Sequence, residues 1–294
     1  MRTPGAGRAP TTAVTVVRAH DAPGPTLVVP CDRLPAGALG LGRELAELRS
    51  ALAATPHPGL GKIALFDSGT LRYRFVQALP DGSFDFRAGC GHSLLACVVA
   101  DGRPGPVTVR AVTTGDSVLC AREPRSDAYT LSFLRAPTAP GTLPTGRPVD
   151  ILLGVPVSLV RYGNPYVFVD ARHLDRQVME RQLLALRAEA ARRLGHPPSS
   201  ALPKIAAVTD GPAGLSVRAL TVGGWHPRLA LTGAAALAAA GAIDGTVVPP
   251  VRGPVRTPTG TVTVSAASDR VRVHHKRAEV LDRLELPWRV HATA

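Results

Sequence analysis

The sequence Gly89-Cys90-Gly91-His92-Ser93, followed at once by the apolar run 94–100, is the most informative part of this chain. A strand predicted over 83–86 precedes it, so the order indicates a strand, a glycine-flanked turn and a buried helix. The N–H groups and the dipole at the start of such a helix would bind a carboxylate next to the Cys90 thiol. Flanking glycines let a ligand approach the backbone closely. A functional cysteine and a buried structural cysteine are both compatible with this pattern.

A later region repeats this order of elements. Strands predicted over 204–209 and 216–220 lead through Gly223-Gly224-Trp225-His226 into an alanine-rich segment that ends at 240. Its small side chains would let strands approach closely on all sides, so a buried helix is expected over 232–240. The two regions share a pattern of elements, and no sequence identity supports a repeat.

Hydrophobic periodicity predicts the other elements. The Pro-, Thr- and Gly-rich stretch 136–148 is the best candidate for a linker between the two units. Helices are predicted over 39–54 and 178–194, the second of them ended by Gly195. Further strands are predicted over 12–17, 26–29, 62–67, 71–79, 106–113, 117–122, 129–134, 151–160, 166–170, 260–265, 271–275 and 284–291. The 28 prolines favour many short elements joined by turns, and the order of the elements indicates two units with the same pattern.

The composition is that of a globular protein, with 45% hydrophobic and 19% charged residues among 294. It excludes collagen, coiled coil and wholesale disorder. The longest apolar stretch, 229–243, is shorter than the about 20 residues that span a bilayer, so no membrane partner is expected. Residues 1–12 lack the apolar core of a secretion signal, which predicts a disordered lead-in and a cytoplasmic protein.

The formal net charge of +12 raises the question of a nucleic-acid partner. The basic residues are scattered, with local density only at 187–193 and 270–277, and no aromatic platform is interleaved with them, so no nucleic acid is expected. A small polyanion fits the same charge. Only Lys62, Lys204 and Lys276 are lysines among the 34 basic residues. Their retention indicates either a deprotonatable amine, which arginine cannot replace, or chance.

Metal and cofactor signatures are absent from the sequence. Four cysteines occur, at Cys31, Cys90, Cys97 and Cys120. They form no Cys-x-x-Cys pair, so neither a disulfide framework nor a zinc site is expected. There is no P-loop, no Gly-x-Gly-x-x-Gly after a strand, no Gly-x-Ser-x-Gly and no His-Glu-x-x-His. No metal and no cofactor are therefore predicted.

Three other polar residues have two interpretations each. His92 and His226 lie near predicted helix starts, where a side chain caps the helix or contacts a ligand. Asn164 belongs to the turn Gly163-Asn164-Pro165, which its side chain could stabilise without any ligand. The residues alone leave these alternatives open.

Five stretches, in the same order, resemble the PrpF-type isomerases. These proteins are relatives of diaminopimelate epimerase and include 2-methylaconitate and 4-oxalomesaconate isomerases. The stretches are Lys62-Ile63-Ala64, Gly89-Cys90-Gly91-His92-Ser93, 163–170, 186–191 and 226–248. The match covers roughly residues 61–248.

The resemblance implies an α+β fold of the diaminopimelate epimerase type. In this fold, two similar domains each wrap a curled mixed β-sheet around a central buried helix, and the active site lies in the cleft between them. The implied N-terminal domain spans 1–145 and the C-terminal domain 146–280. A C-terminal strand within 280–294 would return to the N-terminal domain. A homodimer is among the assemblies to be expected.

The resemblance also implies cofactor-free proton transfer at an allylic carbon of a small anionic substrate, an unsaturated di- or tricarboxylate, giving allylic or cis-trans isomerisation. Lys62 is the implied base, and Cys90 returns or guides the proton. The implied substrate-binding residues are Gly91, His92, Ser93, Asn164, His226, Thr232, Gly233 and Arg18. Ala230 stands where the racemases of this superfamily have a second cysteine, which favours isomerisation over epimerisation.

Three departures from the family pattern concern the binding of substrate carboxylates. The family's Arg-Gly-Gly-Thr-Ser-Lys-Gly is replaced over 18–25 by Arg-Ala-His-Asp-Ala-Pro-Gly-Pro, which keeps only Arg18. His92 replaces the usual asparagine, and the late Thr-Ala-Arg-Arg is reduced to His-Lys-Arg at 275–277. These departures leave two hypotheses open. The chain is either an isomerase with an altered substrate or a catalytically silent binding protein for an anionic metabolite. A nucleic-acid binder, the third hypothesis, would lose affinity steeply with salt.

Overall fold

The computed structural model describes residues 11–288, apart from 33, 36, 198, 199, 222 and 223. Most of the predicted lead-in over 1–12 and the end of the predicted strand over 284–291 lie outside the described residues. Within the described part, the chain forms two mixed β-sheets, four α-helices and one 3-10 turn at Ala171–His173.

The first sheet has eleven strands in the described part of the chain. They are β1 (Thr12–Ala19), β2 (Thr26–Pro30), β3 (Lys62–Asp67), β4 (Arg72–Ala78), β5 (Phe84–Asp85), β6 (Val107–Ala111), β7 (Ser117–Arg122), β8 (Tyr129–Phe133), β17 (Val264–Ala266), β18 (Val271–Lys276) and β19 (Ala278–Leu286). Their order is β17-β18-β8-β7-β6-β4-β3-β2-β1-β19, with β5 paired to β4. The pairs β2/β3 and β4/β6 are parallel, whereas the others are antiparallel.

The second sheet has eight strands over the same described residues. They are β9 (Asp150–Leu152), β10 (Val155–Tyr162), β11 (Asn164–Asp170), β12 (Lys204–Thr209), β13 (Ser216–Thr221), β14 (Gly224–Trp225), β15 (Val255–Thr257) and β16 (Gly260–Val262). Their order is β16-β15-β13-β12-β11-β10-β9, with β14 paired to β13. The pairs β11/β12 and β13/β15 are parallel.

Each sheet packs around one buried helix, as the apolar runs predict. The helix α2 (Gly91–Asp101) contacts β1, β2, β3, β4, β6 and β19 of the first sheet. The helix α4 (Leu231–Gly241) contacts β10 and β11 of the second sheet and also β17 and β18 of the first. Its alanines leave room for strands on all sides, and one continuous apolar core encloses both helices.

Two further helices cover the outer faces of the sheets. The helix α1 (Ala38–Leu52) presents leucines 41, 45, 48 and 52, each at most 1% exposed, to the first sheet, at the spacing of one helix face. The helix α3 (Met179–Arg193) packs against the second sheet in the same way. The predictions of all four helices are confirmed, with their ends shifted by at most three residues.

Two predicted strands are divided in the structure. The strand predicted over 151–160 is the hairpin β9–β10, because Leu153 and Gly154 both have positive φ angles, of 49° and 79°, and form a two-residue turn. The strand predicted over 260–265 is two short strands, β16 in the second sheet and β17 in the first. The chain therefore returns to the first sheet at residue 264, earlier than the predicted boundary at 280.

Candidate active site

The two buried helices meet at their N-termini. A Cβ on Gly91 would lie 2.4 Å from Leu231 Cδ2, so this close approach requires glycine. The helices start at the N-cap residues Cys90 and Ala230, and neither helix has a side-chain cap. Because the first N–H groups of a helix have no partner within it, two sets of backbone donors converge at this point. Such an arrangement favours the binding of an anion.

A cleft of about 420 Å³ opens at this junction between the two sheets. Its polar lining residues are Lys62, Gln77, Asp85, Cys90, His92, Lys204, Thr221, His226 and Thr232. The apolar lining residues include Phe75, Leu79, Trp225 and Leu231. The cleft thus joins titratable groups to an apolar wall.

Lys62 and Lys204 reach the cleft from equivalent positions of the two sheets. Lys62 is the first residue of β3, which pairs in parallel with β2 and antiparallel with β4. Lys204 is the first residue of β12, which pairs in parallel with β11 and antiparallel with β13. Both strands begin with the same three residues, Lys-Ile-Ala, at 62–64 and 204–206. The two lysines are therefore related by the internal symmetry of the fold.

Burial changes the protonation of both amines. It lowers the pKa of Lys62, and the neighbouring Cys90 acts in the opposite direction. It lowers the pKa of Lys204 as well; Cys90 again opposes this shift, whereas the charge of Lys62 adds to it. Each amine is thus closer to its neutral form at neutral pH than an exposed lysine would be, and a neutral amine can act as a base.

The two histidines in the cleft are held neutral. Burial, with the charges of Lys276 and Lys62, lowers the pKa of His92 to about 3. His92 is 3% exposed, and its Nε2 is buried without a hydrogen-bond partner in the protein. Burial also lowers the pKa of His226, whose Nδ1 accepts the N–H of Arg228 at 3.1 Å. The proton of neutral His226 is therefore on Nε2, which leaves that nitrogen as a donor.

Asn164, the only asparagine of the chain, holds the turn that carries Cys90. Its Oδ1 accepts the N–H of Gly89 at 2.7 Å, and its Nδ2 donates to the Gly89 carbonyl at 2.8 Å and to Thr232 Oγ1 at 3.3 Å. Tyr73 Oη donates to the Cys90 carbonyl at 2.9 Å. Because Asn164 starts β11 of the second sheet, its side chain joins the starts of α2 and α4.

The loop between β1 and β2, where the family motif is replaced, connects the two sheets beside the cleft. Asp21 accepts from Lys276 Nζ of β18 at 2.6 Å and pairs with Arg228 at 2.8 Å, just before α4. Lys276 is 4% exposed, so this carboxylate neutralises a buried ammonium group. Lys62 Nζ donates to the carbonyl of Gly24 in the same loop at 3.4 Å. We call Asp21, Lys276 and Arg228 the Asp21 clasp.

The structure brings together six of the ten residues that the sequence assigned to the site. Those lining the cleft are Lys62, Cys90, Gly91, His92, His226 and Thr232. Ser93 and Gly233 lie in the first turns of α2 and α4 but face protein atoms: Ser93 Oγ bonds Thr26 Oγ1 at 2.9 Å, and Gly233 packs against Tyr166.

The other two assigned residues, Asn164 and Arg18, do not line the cleft either. The amide of Asn164 bonds to Gly89 and Thr232, and this residue is 1% exposed, so its position supports the turn instead of a substrate. Arg18 is exposed on β1. Its neighbour Val17 is buried in the core around α2, and alternation along the strand directs Arg18 to the other face.

Lys204 lines the cleft but was not assigned to the site from the sequence. The repeated Lys-Ile-Ala at 62–64 and 204–206 was the available signal, and it was weak because three residues recur by chance.

In the part of the chain that the structure describes, no group of three or more His, Cys, Asp or Glu residues could hold a metal ion. Among the same residues, no helix is long and apolar enough to cross a membrane.

Comparisons with known proteins give a likeness in structure only. No family model matches the sequence, and no curated protein matches it. The structure is similar to a methylitaconate-delta-isomerase, with a TM-score of 0.64 and 18% identity over 94% of this chain and 95% of that chain. It is also similar to a hydroxyproline epimerase from Agrobacterium vitis with bound trans-4-OH-L-proline, with a TM-score of 0.57 and 17% identity over 94% and 92%.

A phenazine biosynthesis protein of the PhzF family from Enterococcus faecalis is a further neighbour, with a TM-score of 0.50 and 12% identity over 94% of this chain and 98% of that chain. The predicted fold class is confirmed: the chain has the two-domain α+β fold of the diaminopimelate epimerase type. The relatives' reactions and substrates do not follow from a likeness at this level of identity.

Proposed function

We propose that this chain is a cofactor-independent isomerase that shifts a double bond, or changes its geometry, in a small unsaturated carboxylic acid by proton transfer. One observation carries the proposal. Lys62, Lys204 and Cys90 line a single cleft at the point where two helix N-termini meet, and burial lowers the pKa of both amines. A base, a proton donor and an anion site are thus available together.

Lys62 is the base in this proposal. Its neutral amine removes a proton from the carbon next to the double bond, and the electron pair of the C–H bond spreads over the conjugated carboxylate. The N–H groups of α2 and α4 stabilise the negative charge that develops on the carboxylate. Burial lowers the pKa of Lys62 and so increases the fraction of the amine that is neutral before each cycle.

The proton returns at the other end of the allylic system. Cys90 gives or guides this proton, and Lys204 is a second group placed to do so from the opposite sheet. The net reaction moves one proton and one double bond, so it consumes neither an oxidant nor a reductant. Ala230 occupies in α4 the N-cap position that Cys90 occupies in α2, which disfavours inversion of a stereocentre between two thiols.

Proton NMR in D2O tests the proposal on a panel of unsaturated mono- and dicarboxylates. We expect deuterium at an allylic carbon with the wild-type protein and none with Lys62→Arg, which keeps a cation but cannot act as a base. Cys90→Ser should slow the exchange. Equal exchange by wild type and Lys62→Arg would refute the role of Lys62.

A silent binding protein is the alternative, and the altered loop over 18–25 is the observation that favours it. This alternative predicts that carboxylates raise the melting temperature of the wild type and of Lys62→Arg alike, whereas no deuterium enters any member of the panel. Ligand-induced stabilisation by mass action gives that readout without catalysis.

A further inference from the structure

We propose that the ligand of the cleft is a monocarboxylate with an apolar remainder, in place of the di- or tricarboxylate that the family resemblance implies. This inference rests on the proposed function for the identity of the site, and it concerns which acid the site selects. It is carried by the charges and the apolar surface of the cleft.

The cleft offers little positive charge. Among the described residues, no arginine lines it, although arginine forks are the usual partners of substrate carboxylates. Lys62 must be neutral to act as a base, which leaves Lys204 as the cationic side chain beside the two helix N-termini. Burial lowers the pKa of both His92 and His226, which favours the uncharged imidazoles.

The charged side chains near the cleft do not form a binding site for a second carboxylate of the substrate. Asp85 lines the cleft, and its carboxylate already accepts from Arg87 Nε at 3.1 Å and from the Arg87 N–H at 2.9 Å. A second substrate carboxylate near it would meet like charge. The cations of the Asp21 clasp, Lys276 and Arg228, do not line the cleft. Both already contact the carboxylate of Asp21, which balances one of their two charges.

The rest of the lining is apolar. Phe75 and Leu79 come from the first sheet and its following turn, and Trp225 comes from β14 of the second. The guanidinium of Arg218 lies 4.1 Å from the centre of a Trp225 ring, a contact that holds the indole in place. An alkyl or ring substituent would gain from covering these side chains, whereas a charged group there would lose its water.

A matched set of acids tests this inference by NMR titration: (E)-but-2-enoate, (E)-hex-2-enoate and (E)-hex-2-enedioate. Each added CH2 that is buried should tighten binding about fourfold, so hexenoate should bind about 15-fold more tightly than butenoate. Hexenedioate has the same length as hexenoate and a second carboxylate, and it should bind more weakly than hexenoate.

Two variants locate the effect. Trp225→Ala should reduce the ratio of the butenoate and hexenoate dissociation constants toward one. Leu184→Ala makes a similar change on the surface, at a side chain that is 44% exposed on α3, and should leave the ratio unchanged. Tighter binding of hexenedioate than of hexenoate, or no dependence on chain length, would overturn the inference.

The binding titrations and the deuterium-exchange experiment test the two proposals independently. If hexenoate binds best but no member of the panel exchanges, the ligand class stands and the isomerase proposal fails. If the dicarboxylate both binds more tightly and exchanges, the isomerase proposal stands and the monocarboxylate inference fails.

Discussion

Replacing Asn164 by alanine should destabilise the protein far more than an exposed polar residue would. Asn164 is 1% exposed and satisfies both backbone polar groups of Gly89, which is itself buried. Alanine would leave the Gly89 N–H and carbonyl without partners, at about 1–3 kcal/mol for each group. We therefore expect the free energy of unfolding to fall by about 2–6 kcal/mol, a large part of the about 5–15 kcal/mol that is typical of a folded domain.

Urea unfolding, followed by far-UV circular dichroism and by tryptophan fluorescence, measures this loss, provided that the two transitions coincide. Gln182→Ala is a matched control, because that amide also accepts a backbone N–H, from Asp175 at 2.9 Å, but lies near the surface. It should cost less than about 1 kcal/mol. A loss below 1 kcal/mol for Asn164→Ala would refute the idea that this amide holds the turn of Cys90.

Three further outcomes are expected. Gly89→Ala should cost about 1–3 kcal/mol of unfolding free energy, because its Cβ would lie 2.7 Å from Thr114 Cγ2, and Thr114→Ser should restore part of the loss in the same urea assay. The pKa of His92 is near 6.5 in the unfolded chain and about 3 in the folded protein, so the unfolded chain binds more protons between these values. The free energy of unfolding should therefore fall as the pH drops from 6.5 toward 3, and it should fall less in His92→Gln. Asp21→Ala leaves the buried ammonium of Lys276 unpaired and should lower the melting temperature more than Lys276→Met, which removes that charge; the reverse order would contradict the clasp.

Much of the fold follows from sequence patterns that depend on neighbouring residues. The strand β3 has the predicted bounds, Lys62–Asp67, and α2 follows the glycine-flanked turn as expected. These elements are encoded by a run of β-branched and apolar residues or by a buried apolar helix, so the local signal is strong. The α+β class is what the resemblance to the PrpF-type isomerases implies.

Sheet membership is different, because it depends on contacts between residues far apart in the chain. Residues 260–266, Gly-Thr-Val-Thr-Val-Ser-Ala, form one run with the alternation of a single strand, yet the run is divided between the two sheets at Thr263. The side chains of this run do not indicate which strand each half pairs with. The predicted end of the C-terminal domain at 280 differs from the return to the first sheet at residue 264 for the same reason.

The candidate site shows a similar division. Lys62 and Cys90 stand next to recognisable turns and strands, so a sequence pattern points to them. The role of Asn164 depends on Gly89, 75 residues away in the chain, and only the fold reveals that bond. Lys204 joins the site through the symmetry of the two sheets, which three shared residues indicate too weakly.

The return of β17, β18 and β19 to the first sheet has a consequence for biosynthesis. During translation, every strand that the described residues contribute to the second sheet has been made once residue 262 is added. The first sheet, whose earliest strand is β1, still lacks three strands and keeps β8 and β1 as open edges. Open edges invite pairing with other chains. The half that is translated first therefore completes last, and a stalled or shortened nascent chain would expose its first sheet to aggregation.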